Sequence, residues 1–176
     1  MTSDLRYPVG KFTAPPDWDD LRLADWRRDI AELPANLHRA VAGLDDAQLD
    51  TPYRDGGWTV RQTVHHVADS HLNAFCRFRL ALTEDGPTIK PYLEARWAEL
   101  PDSRTLPVAP SLEILDGLHV RWITMIDAMT PTQWQSGFVH PDHGRTMTLA
   151  QTAAMYAWHS RHHVAHINAL RARRGW

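Results

Sequence analysis

The chain has 176 residues and a mass of 20.1 kDa, with 43% hydrophobic and 23% charged residues. That is enough for one packed domain, here residues 1–176, and excludes both a multidomain machine and a disordered chain. Nineteen basic against 21 acidic residues give a formal net charge of −2, so no basic field gathers phosphates and nucleic acid is not an expected partner.

Apolar residues recur at three-and-four spacing in four long segments, and strand-type alternation is scarce, which predicts an all-α chain. The first segment runs from Asp19 to Gly43, with Leu23, Trp26, Ile30, Leu33, Leu37 and Val41 on one stripe. Pro34 lies in its middle and should kink or split it, because proline removes a backbone donor. The second follows the Gly56-Gly57 turn, where Thr59 and Gln62 have the spacing of a capping box. Its stripe is Val60, Val64, Val67, Phe75, Phe78 and Leu82, ending near Thr83.

From Glu84 to Pro110 five prolines forbid a long helix, so a crossover with one short helix from Leu93 to Leu100 is expected. Ser111 then caps a third helix bearing Leu112, Leu115, Leu118, Trp122, Met125, Ile126 and Met129, which Thr130-Pro131 ends. A loop through Gly137, Pro141 and Gly144 leads to a second capping box, Thr148 with Gln151, and a fourth helix to about Arg173. The architecture this predicts is a four-helix bundle with a long crossover connection between helices two and three. The lone Cys76 makes no internal disulfide and reads as a small buried hydrophobe. The opening MTSDLRYPVGKF lacks the apolar core of a secretory signal, and no stretch is long enough to span a bilayer. A cytoplasmic protein away from membranes is therefore expected.

Eleven histidines are the compositional anomaly. Four of them, His159, His162, His163 and His166, fall in the run WHSRHHVAHI on the fourth helix. Residues four apart sit one turn apart on a helix face, so His159 with His163 and His162 with His166 could each grip one ion. Spacing alone leaves that choice open. Rotating about 100° per residue puts His163 about 40° from His159, beside Tyr156 and Leu170, and turns His162 toward Trp158 and Arg161. A third ligand has one other dense source, His65-His66 on helix two. His66 is about 160° from the apolar centre at Val64, a position that suits a solvated face as well as a wet cleft. Three neutral imidazoles would bind one divalent ion, such as Zn²⁺ or Ni²⁺, and leave a coordination position open. The chain lacks the Glu-x-x-His of di-iron bundles, the His-Glu-x-x-His of zincins, a Walker A loop and a nucleophile elbow.

The opening YPVGKF, the block LDTPYRDGGWTVRQTVHHVADSH, the following RFRLALTEDGPTIKPY and the closing YAWHSRHHVAHI resemble the DinB-like superfamily. They resemble in particular its YfiT-like branch of metal-dependent hydrolases and bacillithiol S-transferases. The resemblance implies a four-helix bundle holding one divalent metal through His66, His159 and His163. It implies further that the ion activates water or a small-molecule thiol, with thiol S-transfer the favoured chemistry, and it suggests a homodimer; the alternative is a non-catalytic bundle that carries metal or uses it only to staple helices two and four. His65, His71, His162 and His166 are then supporting polar groups or exposed residues. A ligand imidazole usually donates its second N–H to a carboxylate, carbonyl or water, and Asp69, one turn from His66, is a candidate partner. His119 reads as core, and His140 and His143 carry no case. Trp58 and Trp158 are candidates to line a pocket; Arg54, Arg61 and Arg77 read by default as solvated arginines, with recognition of an anionic substrate group the alternative.

Overall fold

Two Thr-x-x-Gln boxes start the two helices that matter most. In the computed structural model, which describes residues 4–142 and 144–176, Thr59 accepts from the Gln62 amide and Gln62 reaches back to Thr59. Thr148 and Gln151 repeat the arrangement. These boxes satisfy orphan N–H groups at the first turns of α3 (Val60–Thr83) and α8 (Leu149–Arg174). Gly175, at φ 71°, closes α8 in the left-handed region that glycine tolerates. Met1, Thr2, Ser3 and His143 lie outside the described residues, so the readings that fell on them have no structural counterpart here.

The first segment forms α1 (Asp20–Val41), capped by Asp19, and Pro34 does not split it. Pro34 lacks the N–H that would reach the Ile30 carbonyl. The His119 ring takes that role from across the bundle, its Nδ1 donating to the Ile30 oxygen at 2.8 Å. A short α2 (Asp46–Leu49) follows, started by its own capping box from Asp45 and Gln48. In place of one short crossover helix there are two, α4 (Glu94–Trp97) and α5 (Pro101–Thr105), divided where Pro101 opens a new first turn. The next long helix, α6 (Ala109–Asp127), begins earlier than expected and has no side-chain cap. Ser111 does not cap it, because its hydroxyl is engaged by His65 Nδ1 at 2.7 Å.

After α6 comes α7 (Pro131–Gln135), again with a capping box, from Thr130 and Gln133. The loop expected at 137–148 is instead an antiparallel hairpin of β1 (Gly137–His140) and β2 (Arg145–Thr148), with Gly137 opposite Thr148 and His140 opposite Arg145. Backbone bonds from Ile89 to the Val139 oxygen and from Val139 to the Pro87 oxygen fasten the crossover to β1. Phe138 is fully buried, and this anchors the hairpin to the core.

The four long helices form the bundle, with α1 packed between α8 and α6 and α3 packed between the same two. Consecutive long helices α1 and α3 therefore sit diagonally, and α3 and α8 are neighbours. The core divides into two clusters. One is built around Phe78, Trp122, Phe138 and Tyr156, the other around Leu33, Val64, Leu115 and Ile167. Cys76, expected inside, is exposed. Among the described residues no helix is long and apolar enough to cross a membrane.

Candidate metal centre

α3 and α8 run antiparallel, since Ser70 meets Tyr156 while His66, earlier on α3, meets His163, later on α8. That register brings three rings together. Ring nitrogens of His66, His159 and His163 all lie within 4.8 Å of one another, and the Nε2 atoms of His66 and His159 are 3.3 Å apart. Two nitrogens bonded at 2.0 to 2.1 Å to a tetrahedral ion stand about 3.3 Å apart, so this donor pair fits such an ion.

His65, the alternative on α3, points away. Its two ring nitrogens reach Ser111 Oγ at 2.7 Å and the Leu106 oxygen at 3.2 Å, tying α3 to α6 and the crossover. On the polar side of α3, His66 and Gln62 are buried, His66 being only 8% exposed, while Asp69 and Asn73 are half-buried. Burial pushes the His66 ring down to about 4, with a further contribution from His162. His159 and His163 are held well below the ordinary value, first by burial and then by neighbouring rings. At neutral pH all three are uncharged and offer lone pairs.

His71 was read from the sequence only as a supporting polar group, and its specific role comes from the fold. It is fully buried, and its Nε2 lies 3.1 Å from His159 Nδ1. Its ring stacks on His119 with centroids 5.1 Å apart and 25° between planes. A carbonyl only accepts, so the His119 proton sits on Nδ1, facing Ile30. If His159 presents its Nε2 lone pair to the triad, its Nδ1–H donates to His71. No hydrogen bond joins Asp69 to His66 among the described residues, and burial, reinforced by Asp102, pushes the Asp69 carboxyl up to about 6.

The second helix pair is also brought together: His162, His163 and His166 form another group with ring nitrogens within 4.8 Å. What separates the two groups is their surroundings. His66, His159 and His163 all open on a cavity of about 450 Å³, which His162 also lines, whereas His166 stacks on Tyr53 at 4.0 Å and its Nε2 meets the Arg6 oxygen at 3.3 Å. His162 is buried and stacks on Trp158, the side the helical rotation indicated.

Trp58, Trp158 and Tyr92 line the cavity beside the triad, and the Trp58 ring is 4.6 Å from His66. His140, dismissed in the sequence, reaches the cavity from the end of β1. Nothing short of recognising the hairpin could have placed it. The three arginines separate: Arg61 is bound by Asp46 and Asp50, Arg54 by the Asp55 carbonyl, and Arg77 alone faces the cavity.

Residues 29–167 match the DinB superfamily, and the chain belongs to it. Its fold is that of YfiT from Bacillus subtilis, described as "a probable metal-dependent hydrolase with an unusual four-helix bundle topology". The two superpose with a TM-score of 0.95 at 47% identity over 98% of each chain. A Bacillus mycoides (strain KBAB4) protein is 53% identical over 98% of this chain and 99% of its own length, and one from Bacillus cereus (strain ZK / E33L) is 53% identical over 99% of both. Each of these two bears the name "Putative metal-dependent hydrolase".

Proposed function

We propose that the chain is a metal-dependent enzyme in which His66, His159 and His163 hold one divalent ion, Zn²⁺ or Ni²⁺. An ion held by three imidazoles would keep a position open, and a small-molecule thiol entering from the cavity is the ligand this reading assigns to it. The observation that carries the reading is the 3.3 Å separation of two uncharged Nε2 atoms, of buried His66 and half-buried His159, at the wall of that cavity. When bound, such an ion lowers the pKa of water or a thiol and supplies a nucleophile near neutral pH.

The chain's own part is positional. His71 orients His159, Trp58 and Trp158 form an apolar wall that limits water, and α3 and α8 fix the three rings on rigid helices. In S-transfer the thiolate sulfur bonds to an electrophilic carbon of the substrate, whose leaving group departs with the bonding pair and takes up a proton. The partners this requires are a small-molecule electrophile and a low-molecular-weight thiol.

Hydrolysis is the second reading, favoured by the names of the relatives and by Glu94 and Asp142, carboxylates that line the same cavity. Turnover of an electrophile is measured with metal alone and with metal plus thiol. Dependence on both is expected, and full turnover with water alone overturns S-transfer in favour of hydrolysis.

A further inference from the structure

Two arginines of α3 are buried, and they are buried differently. Arg61, 4% exposed, is held by Asp46, Asp50 and the Leu106 carbonyl. Arg77, 8% exposed, has no carboxylate within ion-pair distance and no side-chain hydrogen bond among the described residues. The Phe138 ring is 6.0 Å from the guanidinium, and the hydroxyls of Tyr92 and Tyr156 feel its charge. A largely buried cation without a carboxylate partner is incompletely compensated, because an aromatic face replaces water only in part. The Arg77 side chain lines the same cavity as the triad.

Its place on α3 aims it at the chemistry. Arg77 follows His66 by eleven residues, about 20° away after three turns, so both lie on one stripe. The rise over that interval is about 16 Å, and His66 and Arg77 line the same cavity, which therefore extends along α3 from the triad to the guanidinium. Between them stands Tyr156, whose hydroxyl is committed to Ser70, as the Ser70 carbonyl accepts it at 3.1 Å. Glu94 and Asp142 are exposed and make no ion pair with Arg77.

We propose that the substrate of this cavity carries an anionic oxygen group, a carboxylate or a phosphate, and that the Arg77 guanidinium receives it while the reacting atom lies at the histidine triad. The fork of donors on arginine matches either anion in a two-point contact, which a lysine would not reproduce. The proposal rests on the metal-enzyme reading for the placing of the reacting atom, but the binding of the anion does not need the ion.

The test uses benzoate and phenyl phosphate as probes, with benzamide as the uncharged match, titrated into the metal-free and the Zn²⁺-loaded full chain with binding followed by isothermal titration calorimetry. Saturable binding of at least one anion in both forms is expected, with benzamide at least tenfold weaker. Arg77→Met should lose tenfold or more and Arg77→Lys should recover part of it. Whichever anion binds tighter identifies the group. Equal binding by wild type and Arg77→Met, equal binding of benzamide, or no saturable anion binding overturns the proposal. So does a fall of several degrees in the unfolding temperature of ligand-free Arg77→Met, which would make Arg77 a structural cation. A wild type that binds anions but no metal overturns the metal reading and leaves this one standing.

Discussion

His71 Nε2 lies 3.1 Å from His159 Nδ1, so a fully buried imidazole on α3 holds the orientation of a ring on α8. The Ile30 carbonyl fixes the proton of His119, and a separate condition fixes that of His159. His119 donates to Ile30, which leaves His119 Nε2 as a lone pair. His159 must donate to His71 if its own Nε2 is to face the triad.

Removing that support should weaken metal binding without touching a ligand. His71→Leu is expected to lose about 10- to 100-fold in metal affinity, the usual scale for the partner of a ligand imidazole. His71→Gln, which keeps an acceptor for His159, should lose less. Competition with a chromophoric chelator measures both, and wild-type affinity in His71→Leu would show that His71 only fills space.

The two histidine groups that share His163 make opposite demands on mutagenesis. His66→Ala and His159→Ala should each purify without stoichiometric metal, while His166→Ala, whose ring is committed to Tyr53 and the Arg6 carbonyl, should retain it. Metal analysis of the purified proteins decides. Retention in both of the first two variants would move the site away from His66, His159 and His163.

Burial holds the His119 ring at about 4 against an ordinary value of 6.5. Between those values the unfolded chain binds a proton that the folded chain does not, so stability should fall as pH drops from about 6.5 to about 4. The contribution of this one group is about 3 kcal/mol across the window. His119→Asn can still donate toward Ile30 but does not titrate, and its unfolding free energy should vary less between pH 7 and pH 4.5. Identical pH profiles for the two proteins would rule the contribution out.

Pro34 and His119 should be energetically coupled through the Ile30 carbonyl. His119→Leu strands that carbonyl and is expected to cost about 1 to 3 kcal/mol. In a Pro34→Ala background the restored amide can take the carbonyl in the ordinary helical way, so the same substitution should cost less. Denaturant unfolding of the four proteins gives the coupling energy, and simple additivity would mean the two residues are independent.

Local chemistry explains which parts of this structure were readable. Thr59 with Gln62 and Thr148 with Gln151 are side-chain signals that act within one turn, and the stripes behind them act within one helix. The same signature occurs at Asp45 with Gln48 and at Thr130 with Gln133, where it starts the short helices α2 and α7 that went unread. The hairpin was hidden for a different reason: its strands are four residues long, too short for alternation to register, and their register depends on Phe138 finding the core. His66, His159 and His163 were singled out by resemblance where spacing had left alternatives. The part played by His71 depends on the antiparallel register of α3 and α8, and Arg77 stood equal with Arg54 and Arg61 until the fold gave those two their partners.

His66 and His159 are separated by 93 positions in the chain, on helices that meet only when the bundle closes. His159, His162, His163 and His166, by contrast, are assembled by α8 alone. On the proposed metal reading, an ion present while α8 stands alone would meet that local set first, and reaching the proposed site would then require an exchange of partners among neighbouring imidazoles. Metal supply and the order in which the helices dock would thus be linked: early loading would favour the local set, and late loading the set that spans the bundle.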